Sequence, residues 1–347
     1  MTLACPRSLC VLRLSALGDI CQILPAVRSF QSHCPKTRLT WIIGKNEFPL
    51  FADIPDIEFI VFDKKSGWSA VWRLWQQLRG RQFDVLWHMQ SAFRASVLSL
   101  GVSAKIRVGF DRARAADLQG WFTNTCIPAR ECEHMVDAFF SFAEMFQGVD
   151  KQLRWDIPVT DDAREFAQDH CSGKTTLLLN PCATAVFPWR NWQAERYAEV
   201  ADYAVAVLGW QVIMIGGPSV YEQTMGQKVI TAMQETVTNL IGLTSLKQLL
   251  ALIARADAVL SPDSGPIHLA NAVGTPVIGL YAATNPDLTG PYVGREWVVN
   301  AWPQAIQQQF GDRDVPWTQR IRNEEAMRLI DSQSVIGKLQ VLADCVK

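Results

Sequence analysis

Residues 258–270 read Ala-Val-Leu-Ser-Pro-Asp-Ser-Gly-Pro-Ile-His-Leu-Ala, and the fold is read outward from them. Ala258-Val259-Leu260 is a short apolar run of the kind buried inside a parallel sheet. The polar turn Ser261-Pro262-Asp263 ends it, and a helix is predicted to begin with Ser264 as its cap and Pro266 in its first turn, where proline is tolerated. A strand that stops in a polar turn and restarts as a helix presents backbone N–H groups and the positive end of the helix dipole, which makes it a ready anion site. Asp263, Ser264, Gly265 and His268 crowd that turn, more chemistry than capping requires. His268 lies one turn into the helix and can add a donor to the same anion.

The pattern repeats along the chain. Leucine-rich or β-branched runs alternate with segments of helical period, as in parallel sheets wrapped by helices. A first set predicts strands at residues 9–14, 39–43, 59–62, 85–88 and 106–108, with helices at 20–32, 68–78, 92–100 and 134–146. A second predicts strands at 176–179, 211–215, 258–260 and 276–280, with helices at 194–208, 220–233, 246–254 and 266–272. Residues 150–174 are polar, carry Pro158 and the Asp161-Asp162 pair, and read as linker plus a short helix. The expectation is an α/β chain of two Rossmann-like doubly wound domains facing a cleft, over 1–157 and 158–322. A final segment, 323–347, is expected to form a helix that packs back on the N-terminal domain. The Trp- and Gln-rich stretch 302–317 has no readable element. Ligands of such sheets sit beyond the carboxyl ends of the strands, so the loops after strands hold the candidates.

Composition narrows the classes. With 347 residues, 49% hydrophobic and 19% charged, the chain is too apolar for disorder and long enough for two cores. No apolar run reaches the ~18 residues of a membrane span; the nearest, 203–215, is broken by Gly209 and Gln211. Arg13 interrupts the start before a signal-peptide core develops, so export is not expected and the cytoplasm is the expected compartment. Nine cysteines without a Cys-x-x-Cys pair predict reduced, mostly buried thiols, with no disulfide framework and no zinc knuckle. His33, His88, His134 and His170 lack ligand spacing, so no metal is expected. Net charge is −1, yet the stretch from Lys64 to Arg114 holds ten cations against two acids, Asp84 and Asp111. That stretch is either a solvated face whose acids come from elsewhere or a docking surface for something phosphorylated. Nucleic acid is not the expected partner, because no interleaved aromatic motif accompanies the charge.

The first strand leads into Arg13-Leu14-Ser15-Ala16-Leu17-Gly18-Asp19 with a single glycine. Neither a Gly-x-Gly-x-x-Gly fingerprint nor a Gly-x-x-x-x-Gly-Lys-Ser/Thr loop is present, which argues against dehydrogenases and nucleoside triphosphatases. Asp19 stands at a helix start, as a first-turn acid favoured by the dipole or as a general base. After the strand at 176–179 come Asn180-Pro181-Cys182-Ala183-Thr184 and then Pro188-Trp189-Arg190, where Thr184 and Arg190 could donate to a phosphate. Gly216-Gly217-Pro218-Ser219 is a turn first; Glu222 beyond it faces solvent or takes a ribose hydroxyl pair.

Three stretches, RLSALGDICQILPAVRSF from Arg13, NWQAERYAE from Asn191 and SPDSGPIHLANAVGTPVIGLYAATNPDLTGPY from Ser261, resemble the ADP-heptose:lipopolysaccharide heptosyltransferases of glycosyltransferase family 9. The resemblance spans most of the chain in order. It implies a GT-B fold, with acceptor on the first domain and nucleotide-sugar on the second. It also implies inverting transfer of heptose from ADP-L-glycero-D-manno-heptose to the Kdo/inner core of lipopolysaccharide in a Gram-negative cell, with Kdo-lipid A as acceptor. By position Asp19 matches the family's catalytic carboxylate; Asp263, Ser264, Gly265 and His268 match its diphosphate turn; Thr184 and Arg190 match its phosphate loop; and Glu222 matches the acid near the ribose. Arg94, Arg112 and Arg114 are the expected acceptor contacts. No cofactor or metal is implied beyond ADP-heptose as co-substrate, and a lipid acceptor implies peripheral contact with the inner face of the cytoplasmic membrane. Three departures from the family pattern stand out: Ala183 where a second hydroxyl is common, Arg190 where Lys is common, and His88-Met89-Gln90-Ser91-Ala92-Phe93-Arg94 where Asp-x-Gln-x-x-x-Lys is frequent. The alternatives are a family member with another nucleotide-sugar or acceptor, and a non-catalytic two-lobed ligand-binding protein in which Asp19 has no proton to move.

Overall fold

A computed structural model describes residues 3–171, 173–183 and 186–346, and the chain divides into two compact units, Met1–Pro158 and Val159–Lys347. The first unit is a wholly parallel sheet of β1 (Ser8–Leu12), β2 (Arg38–Gly44), β3 (Ile57–Phe62), β4 (Phe83–His88), β5 (Ala104–Gly109) and β6 (Thr125–Cys126). Its helices are α1 (Leu17–His33), α2 (Phe48–Phe51), α3 (Gly67–Leu78), α4 (Phe93–Ser99) and α5 (Met135–Ala143). The strand order is β3-β2-β1-β4-β5-β6. β1 is central and buried along its whole length, which is why it reads as an uninterrupted apolar run instead of an alternating one. Phe30 of α1 wedges edge-on against Trp87 of β4 and Phe146, with centroids 5.1 and 4.9 Å away, and closes the core on that side.

The second unit repeats the plan with β7 (Thr176–Leu179), β8 (Gln211–Met214), β9 (Thr238–Asn239), β10 (Ala258–Pro262), β11 (Val277–Tyr281) and β12 (Val299–Asn300), all parallel, in the order β12-β11-β10-β7-β8-β9. Around it run α6 (Asp161–His170), α7 (Ala194–Ala206), α8 (Val220–Ala232), α9 (Leu246–Arg255), α10 (Gly265–Val273), α11 (Pro286–Thr289), α12 (Trp302–Phe310) and α13 (Ser332–Val346). The α/β class with two Rossmann-like sheets is therefore as expected. The strands missed from sequence, β6, β9 and β12, are two residues long and lie at sheet edges, too short to carry a period.

Two expectations are corrected. The C-terminal segment is not the single helix expected: Val335, Leu339 and Leu342 of α13 enter the core of the second unit beside Tyr197 and Ala201. The segment before it is pinned there, with the Trp192 indole donating to the Ile330 carbonyl at 2.9 Å and Arg196 to the Arg328 carbonyl at 2.8 Å. Asp331 then accepts from the Ser334 amide at 2.7 Å and starts α13 afresh after a 3-10 turn, Glu324–Leu329, so the helix expected from 324 is split.

The second correction concerns the thiols. Cys5 and Cys34 are joined in a disulfide, because Cys34 ends α1 beside the segment entering β1, with the two Cα atoms 5.6 Å apart. The His33 ring lies beside that pair, its nitrogen within 4.8 Å of both sulfurs. Of the remaining cysteines, Cys10, Cys21, Cys171 and Cys182 are buried, and Cys126, Cys132 and Cys345 are exposed. Among the described residues no helix is long and apolar enough to cross a membrane.

Candidate active site

In a sheet of this order the strand sequence reverses direction between β1 and β4, and the carboxyl ends of those two strands flank the crevice where ligands bind. Asp19 lies there. Chain leaving β1 turns through Arg13 to Ala16 and enters α1, whose third residue is Asp19. Its Oδ2 accepts the Ala16 N–H at 3.0 Å and pairs with Arg13 Nη2 at 2.6 Å. The structure thus bears out the first-turn-acid reading of Asp19. Arg13 is itself anchored, with side-chain exposure of 10% against 35% for Asp19: it donates to the Ser15 and Met89 carbonyls and lies over the Phe139 ring. Sequence reading passed over Arg13; the signal available was a cation ending an otherwise apolar strand.

The loop after β4 backs this arrangement. Gln90 accepts from the Leu14 amide at 2.8 Å. Gln119 accepts the Phe110 amide on Oε1, so its Nε2 must be the donor to the His88 carbonyl at 2.8 Å and to His88 Nδ1 at 3.1 Å. The ring therefore carries its proton on Nε2, which is buried without a partner among the described residues. Burial, and then the Arg107 charge, push the His88 pKa down from 6.5 to about 4. His88 is thus a buried, neutral histidine held by Gln119, in the stretch where the sequence departs from the family pattern.

The second unit has its own reversal, between β7 and β10. Ser264 occupies the cap position of α10, but its hydroxyl does not cap the helix; it receives Asn180 Nδ2 at 2.9 Å and meets Ser261 Oγ at 2.8 Å. That corrects the expected cap: the Ser264 side chain makes no capping bond to the first turn of α10, whose amide dipoles point out from the carboxyl end of β10. Gly265 and Pro266 form that first turn, and His268, half-buried, lies in the next.

Asp263 is engaged by Arg190 at 3.1 Å and by Thr284 Oγ1 at 2.8 Å, with both ionic side chains mostly buried, 14% and 8% exposed. Its carboxylate therefore orients the guanidinium. Arg190 also lies over the Phe187 ring at 4.7 Å, and its Nε, like the Tyr281 hydroxyl, is buried with no hydrogen-bond partner among the described residues. Burial raises the Tyr281 pKa well above its usual range, with the Asp263 charge adding to the shift, so the phenol stays protonated. Asn180, Thr284 and Tyr281 were not named as site residues from sequence, although Tyr281 and Thr284 fall in the stretch from Ser261 that carries the family resemblance. Thr184 lies outside the described residues.

Glu222 accepts the Gly217 amide at 2.8 Å and the Ser219 hydroxyl at 2.6 Å, while Ser219 accepts the Glu222 amide. It holds the turn after β8 in a reciprocal cap. Arg94 and Arg112 are exposed. Arg114 is instead committed to Asp111, to Glu133 and to the Pro128 carbonyl, which ties down its own loop.

Two six-stranded doubly wound sheets of matching order, each with a polar turn at its reversal point, place the chain in the GT-B class of sugar-transferring folds. It belongs to glycosyltransferase family 9 (heptosyltransferase), whose model matches residues 71–315. It is 42% identical over 341 residues to the lipopolysaccharide core heptosyltransferase OpsX of Haemophilus influenzae, covering 97% of each chain. Lipopolysaccharide heptosyltransferase 3 of Escherichia coli is 25% identical, over 94% of this chain and 96% of that one. Among solved structures, a family 9 glycosyltransferase of Veillonella parvula matches with a TM-score of 0.79 at 23% identity, covering 99% of this chain and 98% of that one. The ADP-heptose lipopolysaccharide heptosyltransferase II of E. coli matches with a TM-score of 0.72 at 19% identity, over 97% and 98%. The chain is therefore a glycosyltransferase of the heptosyltransferase family, as the motifs implied.

Proposed function

We propose that this enzyme transfers L-glycero-D-manno-heptose from ADP-heptose to the Kdo/inner core of lipopolysaccharide, with inversion at the anomeric carbon and without a metal ion. The observation that carries the reading is 42% identity over nearly the full length to a relative named a lipopolysaccharide core heptosyltransferase, joined to an α10 whose first turn the Ser264 hydroxyl leaves uncapped. Asp19 takes the proton of the acceptor hydroxyl. The acceptor oxygen bonds to the anomeric carbon as the bond from that carbon to the ADP β-phosphate oxygen breaks, and ADP leaves with the electron pair. Arg13 and the Ala16 amide fix the Asp19 carboxylate in place.

The departing diphosphate meets fixed dipoles at Ser264 and Gly265, the His268 ring, the Arg190 fork and, in the phosphate loop, Thr184. Arg190 supports this role because its Nε is a buried donor with no hydrogen-bond partner among the described residues. Glu222 is the residue proposed near the ribose. Arg94 and Arg112 are the acceptor-side cations; Arg114, spent on its own loop, is set aside. The enzyme works from the cytoplasm, as a peripheral visitor to the inner membrane face where a lipid-borne acceptor resides.

The test is transfer from ADP-heptose to Kdo-lipid A by the purified protein without added divalent metal, beside Asp19→Ala. Product from the wild type and none from the variant, with ADP-heptose still bound by both, supports the reading. Binding without transfer sends the acceptor assignment elsewhere, and no ADP-heptose binding overturns the donor.

A further inference from the structure

The ten cations between Lys64 and Arg114 do not form one class. Lys64 pairs with Glu47, Arg81 with Glu58, Lys105 with Asp84 and Arg114 with Asp111 and Glu133. Arg107 spends its guanidinium on the carbonyls of Ser99, Val102 and Phe122. Besides Arg107, the cations with no ion pair among the described residues are Lys65, Arg73, Arg79, Arg94 and Arg112, and the first three of these lie on α3 or at its ends.

The same helix carries an anomaly of apolar exposure. Ala70, Val71, Leu74 and Leu78 bury one face, while Trp68 and Trp72 on another are 74% and 62% exposed. Trp68, Trp72 and Trp75 are spaced i, i+4, i+7, so they form one stripe, and Arg79 continues it one turn further. Trp75 anchors the stripe by donating to the Leu98 carbonyl at 3.2 Å, next to exposed Leu100. Two indoles left in water beside unpaired cations cost solvation and serve no packing within the unit. Indole at the polar boundary with Lys and Arg around it is the chemistry that partitions into an anionic bilayer surface.

We propose that α3 is the element by which this protein docks on an anionic phospholipid surface, with Trp68 and Trp72 inserted at headgroup level and Lys65, Arg73 and Arg79 on lipid phosphates. The proposal rests on the lipid-borne acceptor of the proposed function, and it is tested without any acceptor.

The full-length protein is titrated with vesicles of phosphatidylethanolamine alone and of phosphatidylethanolamine with phosphatidylglycerol, following sedimentation and the indole emission. Wild type should bind the phosphatidylglycerol vesicles, more weakly as salt rises, with a blue shift. Trp68→Ser/Trp72→Ser should weaken binding roughly tenfold or more. Lys65→Gln/Arg73→Gln/Arg79→Gln should remove the preference for phosphatidylglycerol, on the order of fivefold per cation. Both variants should keep wild-type transfer to a de-acylated, water-soluble acceptor, which also shows that they are folded. Equal vesicle binding by wild type and both variants, or no binding by wild type, overturns the proposal. So does a wild-type dimer that the tryptophan variant dissolves, since the stripe would then be a contact between copies. Failure of transfer to every acceptor would count against the proposed reaction and leave the vesicle result standing.

Discussion

Replacing His88 with leucine tests whether the buried ring is held neutral by its surroundings. In the native protein Gln119 donates to Nδ1, so a second proton there would face an N–H instead of an acceptor, inside a fully buried site. The native ring accordingly protonates only near pH 4, against 6.5 for an ordinary histidine. Between those values the unfolded chain binds a proton that the native state does not, so stability is full above pH 6.5 and falls as pH drops through the window. At pH 5 the loss is about 1.5 pH units of linkage, or about 2 kcal/mol, growing to about 3 kcal/mol by pH 4. His88→Leu forfeits one buried hydrogen bond, about 1 kcal/mol at neutral pH, and abolishes this titration. Urea unfolding followed by tryptophan fluorescence should therefore find the wild type ahead at pH 7.5 and the variant level or ahead at pH 5. Parallel stability curves for the two proteins would refute the reasoning. Because Met89, the next residue, gives its carbonyl to Arg13, acidification through this window should also disturb the Arg13–Asp19 pair.

Arg190→Lys keeps the charge but loses the planar fork that pairs with Asp263; if the proposed donor site holds, ADP affinity by calorimetry should fall about tenfold, with Arg190→Ala falling further. Asp263→Asn leaves a mostly buried guanidinium without its counter-charge and should lower unfolding stability by about 3 kcal/mol, partly recovered on adding saturating ADP. Serine at Cys5 and Cys34 opens a bridge spanning 29 residues and should cost about 3–4 kcal/mol under oxidising conditions, and a thiol titration of the denatured, unreduced protein should count seven. Burial pushes the Cys182 thiol up to about 12, so alkylation at pH 8 should mark Cys126 and Cys132 well before it.

What the amino-acid order determined alone was periodic and local. Apolar runs of four to six residues, each answered by a helical stretch, are enough to define two doubly wound sheets, because a parallel strand buried on both faces needs nothing but apolar side chains. The turn at Ser261–His268 was legible for the same reason: strand end, small polar residues and Pro in a first helical turn are neighbours in the chain. Local patterning also put Asp19 at a helix start.

Tertiary structure decided everything that depends on a partner far along the chain. Ser264 looks like a cap until Asn180, 84 residues away, takes its hydroxyl. Asp263 is one acid in a local turn until Arg190, 73 residues earlier, and Thr284, 21 residues later, close on it. Cys5 meets Cys34 only because a strand and a helix end run side by side, and α13 reaches its own sheet because Ile330 is pinned by Trp192. In sequence the basic stretch is ten cations against two acids; which of those cations are paired was decided by where acids and carbonyls fall in space. Hydrogen bonds and ion pairs select partners by distance in space, which a one-dimensional pattern does not encode.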